Sequence, residues 1–198
     1  MVGNVNVAVH RLVERQAAVQ AGKLAFVDEE RTLTYRELNF RANATARALM
    51  ASGFKRGALA VVRMPRSADL LIALLAALKA GGSYLCLDPR DSSWPAGISV
   101  AERGDRGEDR YLSIDVSHVL AEDAPPSPNL PILTRGSDVA CAMRDGTLVP
   151  HSAIAALRPH HVPGDVTWYP EGSEIDVWVA LMAGATVTLT TAPATVAA

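Results

Sequence analysis

The stretch LTYRELNFRANATARALMASGFKRGALAVVRMPRSADLLIALLAALKAGGSYLCLDP, residues 33–89, decides the fold. Its first part has the order of a helix that is capped, amphipathic and then stopped. Thr34-Tyr35-Arg36-Glu37 fits a capping box, with Thr34 as the cap and Glu37 reaching back to it. Leu38, Ala42, Ala46 and Leu49 follow on one helical face, and Gly53 sits where a C-terminal cap belongs. ALAVVRM, 58–64, is a continuous apolar run of strand length. Pro65 and Ser67 then open a second helix that runs to Lys79 and stops at Gly81-Gly82, and SYLCLD, 83–88, is another apolar strand. Strand, helix and strand at this spacing predict a βαβ unit whose parallel strands are covered on both faces. Asp69 near the start of the helix and Lys79 near its end suit the helix dipole.

Working outward, Val7, Leu12, Val13, Ala17 and Val19 are spaced for an amphipathic helix over 6–20. LAFVDEERTLTY, 24–35, reads as a hairpin turning around Glu29-Glu30-Arg31. Downstream, residues 90–110 are polar, charged and Gly-containing without a sustained period, which predicts a flexible surface loop. RYLSIDVSHVL, 110–120, restores a strand and a short helical turn, and APPSPNLP, 124–131, is a stiff proline-rich connector. DVACAM and TLV follow as short strands, HSAIAALR as a short helix, GSEIDVWVALMAG as a helix with a glycine stop, and ATVTLTT as a strand. The small-residue tail, 192–198, is expected to fray. The whole, 1–198, predicts one α/β domain: a mainly parallel sheet flanked by helices, with an N-terminal β-hairpin.

The composition narrows the function classes. A net charge of -2 leaves no electrostatic footprint for nucleic acid or an anionic membrane. No apolar run reaches 18 residues, and the N-terminus lacks a basic region followed by an apolar core, so a cytoplasmic location is expected. Cys86 and Cys141 lie in apolar stretches and read as buried free thiols. The only lysines are Lys23, Lys55 and Lys79.

Residues 33–89 resemble the opening of the adenylation domains of nonribosomal peptide synthetases, within the AMP-forming acyl-adenylate ligase superfamily. The resemblance implies the first half of the large adenylation subdomain and, in an intact member, ATP-dependent activation of a carboxylic acid. The chain departs from that pattern where the chemistry should be. The family carries a loop of the form YTSGSTGxPKG, whose glycines, hydroxyls and N–H groups wrap ATP phosphates and whose lysine adds a point charge. Here Asp138-Val139-Ala140 and Val149-Pro150-His151 match the flanks, but only CAMRDGTL stands between them. Arg144-Asp145-Gly146 predicts a two-residue hairpin turn of the primed type, centred on Asp-Gly, with the alternative of a minimal phosphate site. After LDP, Trp94-Pro95 is a faint echo of the family's YPxxRL.

The family's FDxSxWE-like acid pocket precedes a helix ending in LLxGA. PEGSEID, 170–176, and LMAGA, 181–185, lie in that register. The resemblance places Glu171 at the Asp that pairs with a substrate amino group and Ser173 at the motif serine. The alternative is that the acids sit in a first helical turn and that Gly172 or Ser173 helps to cap it. Among other constellations, His151, His160, His161 and Asp165 lack the spacing of a metal site, and His151 reads as a capping or packing histidine. No GxSxG, P-loop or dinucleotide motif occurs. Trp178 lies on an apolar helix face as core or as an interface anchor. The expectation is a truncated, non-catalytic adenylation-like protein with no cofactor, no metal and no catalytic residue. It would act as a binding, scaffolding or helper partner in natural-product biosynthesis, as a homodimer or with another protein. Two alternatives remain: an enzyme of changed activity that keeps an amino-acid or acyl pocket, or a ligase fragment completed by a second chain.

Overall fold

The computed structural model describes residues 7–91, 96–103, 109–114, 120, 126–131, 134–157, 165–168 and 172–190. Among them five helices accompany ten strands: α1 (Val9–Val19), β1 (Leu24–Val27), β2 (Thr32–Thr34), α2 (Tyr35–Ala51), β3 (Leu59–Arg63), α3 (Ala68–Lys79), β4 (Ser83–Leu87), β5 (Gly97–Arg103), β6 (Asp109–Ile114), β7 (Val139–Ala142), β8 (Leu148–Pro150), α4 (His151–Leu157), β9 (Val166–Trp168), α5 (Glu174–Ala183) and β10 (Val187–Leu189). The strands form two sheets, ordered β2-β1-β10-β9 and β6-β5-β3-β4-β7-β8. The α/β class therefore holds. Each sheet has a parallel centre, β1-β10-β9 in one and β3-β4-β7 in the other, with antiparallel strands added at the edges.

The local signals act as read. Thr34 accepts the Glu37 N–H while the Glu37 carboxylate accepts from Thr34, closing the capping box. Ser67 caps α3, and β3-α3-β4 is the expected βαβ unit, with Leu59 to Arg63 paired in register to Ser83 to Leu87. Every residue of α3 from Leu70 to Lys79 is buried. An all-round apolar helix of this kind needs cover on all sides, which α2, α1 and the strands supply.

One expectation changes. The stretch 97–103, read as part of a surface loop, is strand β5, whose residues Gly97 to Ala101 pair antiparallel with the whole of β3. Its Ile98, and Ile114 of β6 opposite it, are buried, and that apolar contact outweighs the polar flanks. Lys79 lies in the last turn of α3, as read. It turns inward, fully buried, and donates to Glu14 of α1 and to Asn39 of α2 at 2.8 Å. Burial lowers its pKa to about 8, against the opposing pull of Glu14. Asp69 lies in the first turn of α3, as read, and also pairs with Arg31 at 2.9 Å.

The described part of the proline-rich connector, 126–131, is neither helix nor strand. It is fastened to α2: Asn39 and Asn43 both donate to Asn129, and Arg47 donates to Ser127 at 2.6 Å. No described helix is long and apolar enough to cross a membrane. The expected tail at 192–198 lies outside the described residues.

Candidate functional site

Parallel strands β3, β4 and β7 run side by side and point their C-terminal ends the same way. Crevices outside those ends are where open α/β sheets place ligands. Here they open into a cleft of about 940 Å³. Met64 to Arg66 after β3, Leu87 to Arg90 after β4 and Ala142 to Arg144 after β7 form three sides, and the N-terminus of α5 with Leu189-Thr190 forms the fourth.

Tyr84 and Trp178 join two of these walls. The indole N–H of Trp178 on α5 donates to the Tyr84 hydroxyl on β4 at 2.7 Å, with both side chains buried. Trp178 is thus core. Cys86 is half-buried beside Glu174, and Cys141 is buried next to Tyr84. Burial first, and then the Glu174 charge, pushes the Cys86 thiol up to about 12; burial also raises Cys141. Neither thiol is a thiolate nucleophile at neutral pH.

Each arginine on the cleft is matched by a carboxylate. Arg66 pairs with Glu174 at 3.0 Å, donates to the Gly172 carbonyl at 2.7 Å and lies over the Trp168 ring at 4.7 Å. Arg144 pairs with Asp91 at 3.1 Å. Arg90 pairs with Asp88 at 2.7 Å, and its hydrogen bonds hold that carboxyl well below the usual range. No lysine lines the cleft.

The predicted site residues are placed as follows. Arg144, Asp145 and Gly146 connect β7 directly to β8, but not as a two-residue primed turn. Met143 N–H donates to the Thr147 carbonyl and Gly146 N–H to the Met143 carbonyl, so the loop has three residues. Only Gly146 takes positive φ, +87°. This is a type I turn followed by a glycine in the left-handed region, which lets Asp145 keep negative φ and is less strained for a non-glycine residue. The turn also consumes its own donors: Thr147 N–H bonds the Asp145 carboxylate at 2.9 Å. Ser173 is the N-cap of α5 and accepts the Ile175 N–H at 3.1 Å, while lining the cleft. Glu171, His160 and His161 lie outside the described residues. Among the described residues no cluster of three His, Cys, Asp or Glu could hold a metal.

Sequence reasoning missed Arg66 and Glu174. Arg66 was findable, because it stands just past the C-terminal end of a parallel strand. Glu174 was visible as a first-turn acid, but its partner lies 108 residues away.

Comparison with known proteins agrees with this geometry. Residues 13–98 match the AMP-binding enzyme family. The chain is 31% identical to bacitracin synthase 1 of Bacillus licheniformis over 91% of its own length and 4% of that protein's. It is 48% identical to tyrocidine synthase 3 of Brevibacillus parabrevis over 41% of its length and 1% of that protein's. Its fold superimposes on the N-terminal subdomain of Klebsiella oxytoca NpsA, solved with anthranilyl-AMSN, with a TM-score of 0.73 at 20% identity, covering 96% of this chain and 55% of the other. The chain thus spans a small fraction of its curated relatives and about half of that solved subdomain. It is a relative of the nonribosomal peptide synthetase adenylation domains, in their N-terminal part.

Proposed function

We propose that this relative of the adenylation domains is a cytosolic, non-catalytic binding or scaffolding module that works beside natural-product biosynthetic machinery. The observation that carries the reading is the β7–β8 turn. Where a phosphate-wrapping loop would present several converging N–H groups and a lysine, a three-residue turn bonds back to Met143 and Thr147 at the strand ends, and Arg144 is held by Asp91. Convergent N–H groups and free positive charge hold a triphosphate, and each described arginine of this cleft already shares its charge with a carboxylate. The Leu148 side chain, exposed on edge strand β8, and half-exposed Met143 beside it support association with a second copy or another protein.

A second reading draws on the cleft itself. About 940 Å³ lined by apolar side chains together with paired arginines and carboxylates, with Ser173 and Glu174 at one end, suits a retained amino-acid or acyl pocket. One experiment addresses both readings: a thermal-shift screen with ATP, AMP, amino acids and acyl compounds, alongside acid-dependent ATP–pyrophosphate exchange and light scattering on the same sample. No ATP shift, no exchange and an associated species are expected. An ATP shift or acid-dependent exchange refutes the non-catalytic reading, and a compact monomer refutes association. An amino-acid shift without exchange, weakened by Glu171→Ala, selects the retained pocket.

A further inference from the structure

Helix α1 begins without the usual support. Its N-cap is Ala8, no side chain caps it, and its first turn carries no acid. The missing acceptor comes from 142 residues away: the Val9 N–H donates to Nδ1 of His151, the first residue of α4, at 3.1 Å in a buried setting. His151 is in turn fixed by its own backbone, whose N–H donates to the Asp138 carbonyl at 3.0 Å. His10, the next residue of α1, meets the His151 ring edge to face at 5.8 Å and 78°. His10 is 3% exposed and His151 0%. Nδ1 of His10 and Nε2 of His151 have no hydrogen-bond partner among the described residues.

For Nδ1 to accept, His151 must be neutral with its proton on Nε2. A second proton on Nδ1 would set donor against donor at Val9. Little nearby would compensate the charge. His10 faces His151 of α4, Lys79 of α3 and Arg11 of its own helix. Glu14 on the next turn of α1 is already shared between Lys79 and Arg11. Arg47 of α2 adds positive charge near Lys79. Among the described residues the only carboxylate acting on His151 is Asp138, which bonds the Arg135 N–H and Arg56.

We propose that the His10–His151 pair is an acid-released latch that holds the start of α1 on the body of the domain only while both imidazoles are neutral. Burial lowers the His151 pKa to about 4, and burial, then the His151, Lys79 and Arg11 charges, hold His10 well below its ordinary value. In the open state both return to about 6.5. A group depressed on closing favours the open state as pH falls below its open value, so opening is promoted between about pH 6.5 and 4. From pH 7.5 to 5, His151 alone shifts the opening equilibrium about 30-fold toward release, and His10 adds in the same direction.

The test is amide hydrogen exchange of residues 7–20 in the whole protein, corrected for intrinsic rate, at pH 7.5 and pH 5. Protection of α1 should fall at least 30-fold while the β3-α3-β4 core keeps its own. His151→Asn leaves an amide oxygen where Nδ1 stood, and His10→Phe keeps the ring contact without a proton. The double variant should hold α1 protection constant across the range, and His10→Phe alone should reduce the loss. Unchanged α1 protection in the wild type overturns the latch. So does a loss that persists in the double variant, or a core that opens in parallel with α1.

Discussion

The Tyr84–Trp178 hydrogen bond ties β4 to α5, and through them two walls of the cleft. Truncating either partner should cost more than the atoms removed. Tyr84→Phe deletes one oxygen but strands a buried indole N–H, a desolvation cost of about 1–3 kcal/mol. Trp178→Phe removes the donor to the Tyr84 hydroxyl, which keeps only Cys141 beside it, and thins a fully buried side chain, for about 2–4 kcal/mol in all. In the double variant no polar atom of the pair is left unmatched. Only the packing loss and the net bond, about 0.5–1.5 kcal/mol, remain. The double variant should therefore be more stable than the sum of the singles by about 1–2 kcal/mol. Urea unfolding followed by far-UV circular dichroism measures this without relying on the tryptophan being removed. At a slope near 2 kcal/mol per molar urea, the discrepancy displaces the midpoint by about 0.5–1 M. Two singles that add to the double within about 0.5 kcal/mol would refute the coupling, and with it the view that this bond braces the cleft.

Two further outcomes follow from the same structure. Gly146→Ala should cost about 1–2 kcal/mol in urea unfolding, because φ is +87° there. An added methyl would meet nothing within 4 Å, so a cost well above that range would mean that the turn packs against a partner or ligand. Glu14→Gln should cost about 3–5 kcal/mol by leaving Lys79 buried without its carboxylate, whereas Glu14→Leu with Lys79→Met should recover most of it. Equal costs for the single and double changes would show that the pair is not coupled.

How far the fold was legible depended on the sequence range of each signal. Thr34 with Glu37, Ser67 with Leu70 and Gly184 after Ala183 act within four residues, and each lies where the sequence placed it. Strand β5 was illegible for the opposite reason. GISVAER alternates only weakly and sits among charged residues, and what orders it is a backbone ladder to β3, some forty residues earlier. The inward turn of Lys79 follows the same rule, since its partners come from α1 and α2. At the site, the absence of a YTSGSTGxPKG-like stretch was legible in the sequence, and Ser173 was legible as a cap. The pairing of Arg66 with Glu174 and the His151 cap on α1 were not, because each joins residues more than a hundred positions apart.

This division bears on how a ligase-like fold can tolerate changes in the loops around its cleft. The buried mass lies in α3 and the strands around it, where Leu70 to Lys79 are all covered. The cleft is built from the segments that leave those strands. Burying a large apolar side chain is worth about 1.5–3 kcal/mol, so the βαβ unit alone supplies a substantial part of the stability. A change confined to the β7–β8 connection touches little of it. The two strands remain paired, with Ala142 opposite Leu148, whether three residues join them or a longer loop does. Loop-closure entropy favours the shorter connection slightly, and the glycine at 146 supplies the conformation that it needs. Replacing a phosphate loop by this turn would therefore leave the core intact and alter only what the cleft can hold. On such a scaffold, binding and catalysis are separable properties, because the strands position both and the loops alone decide between them.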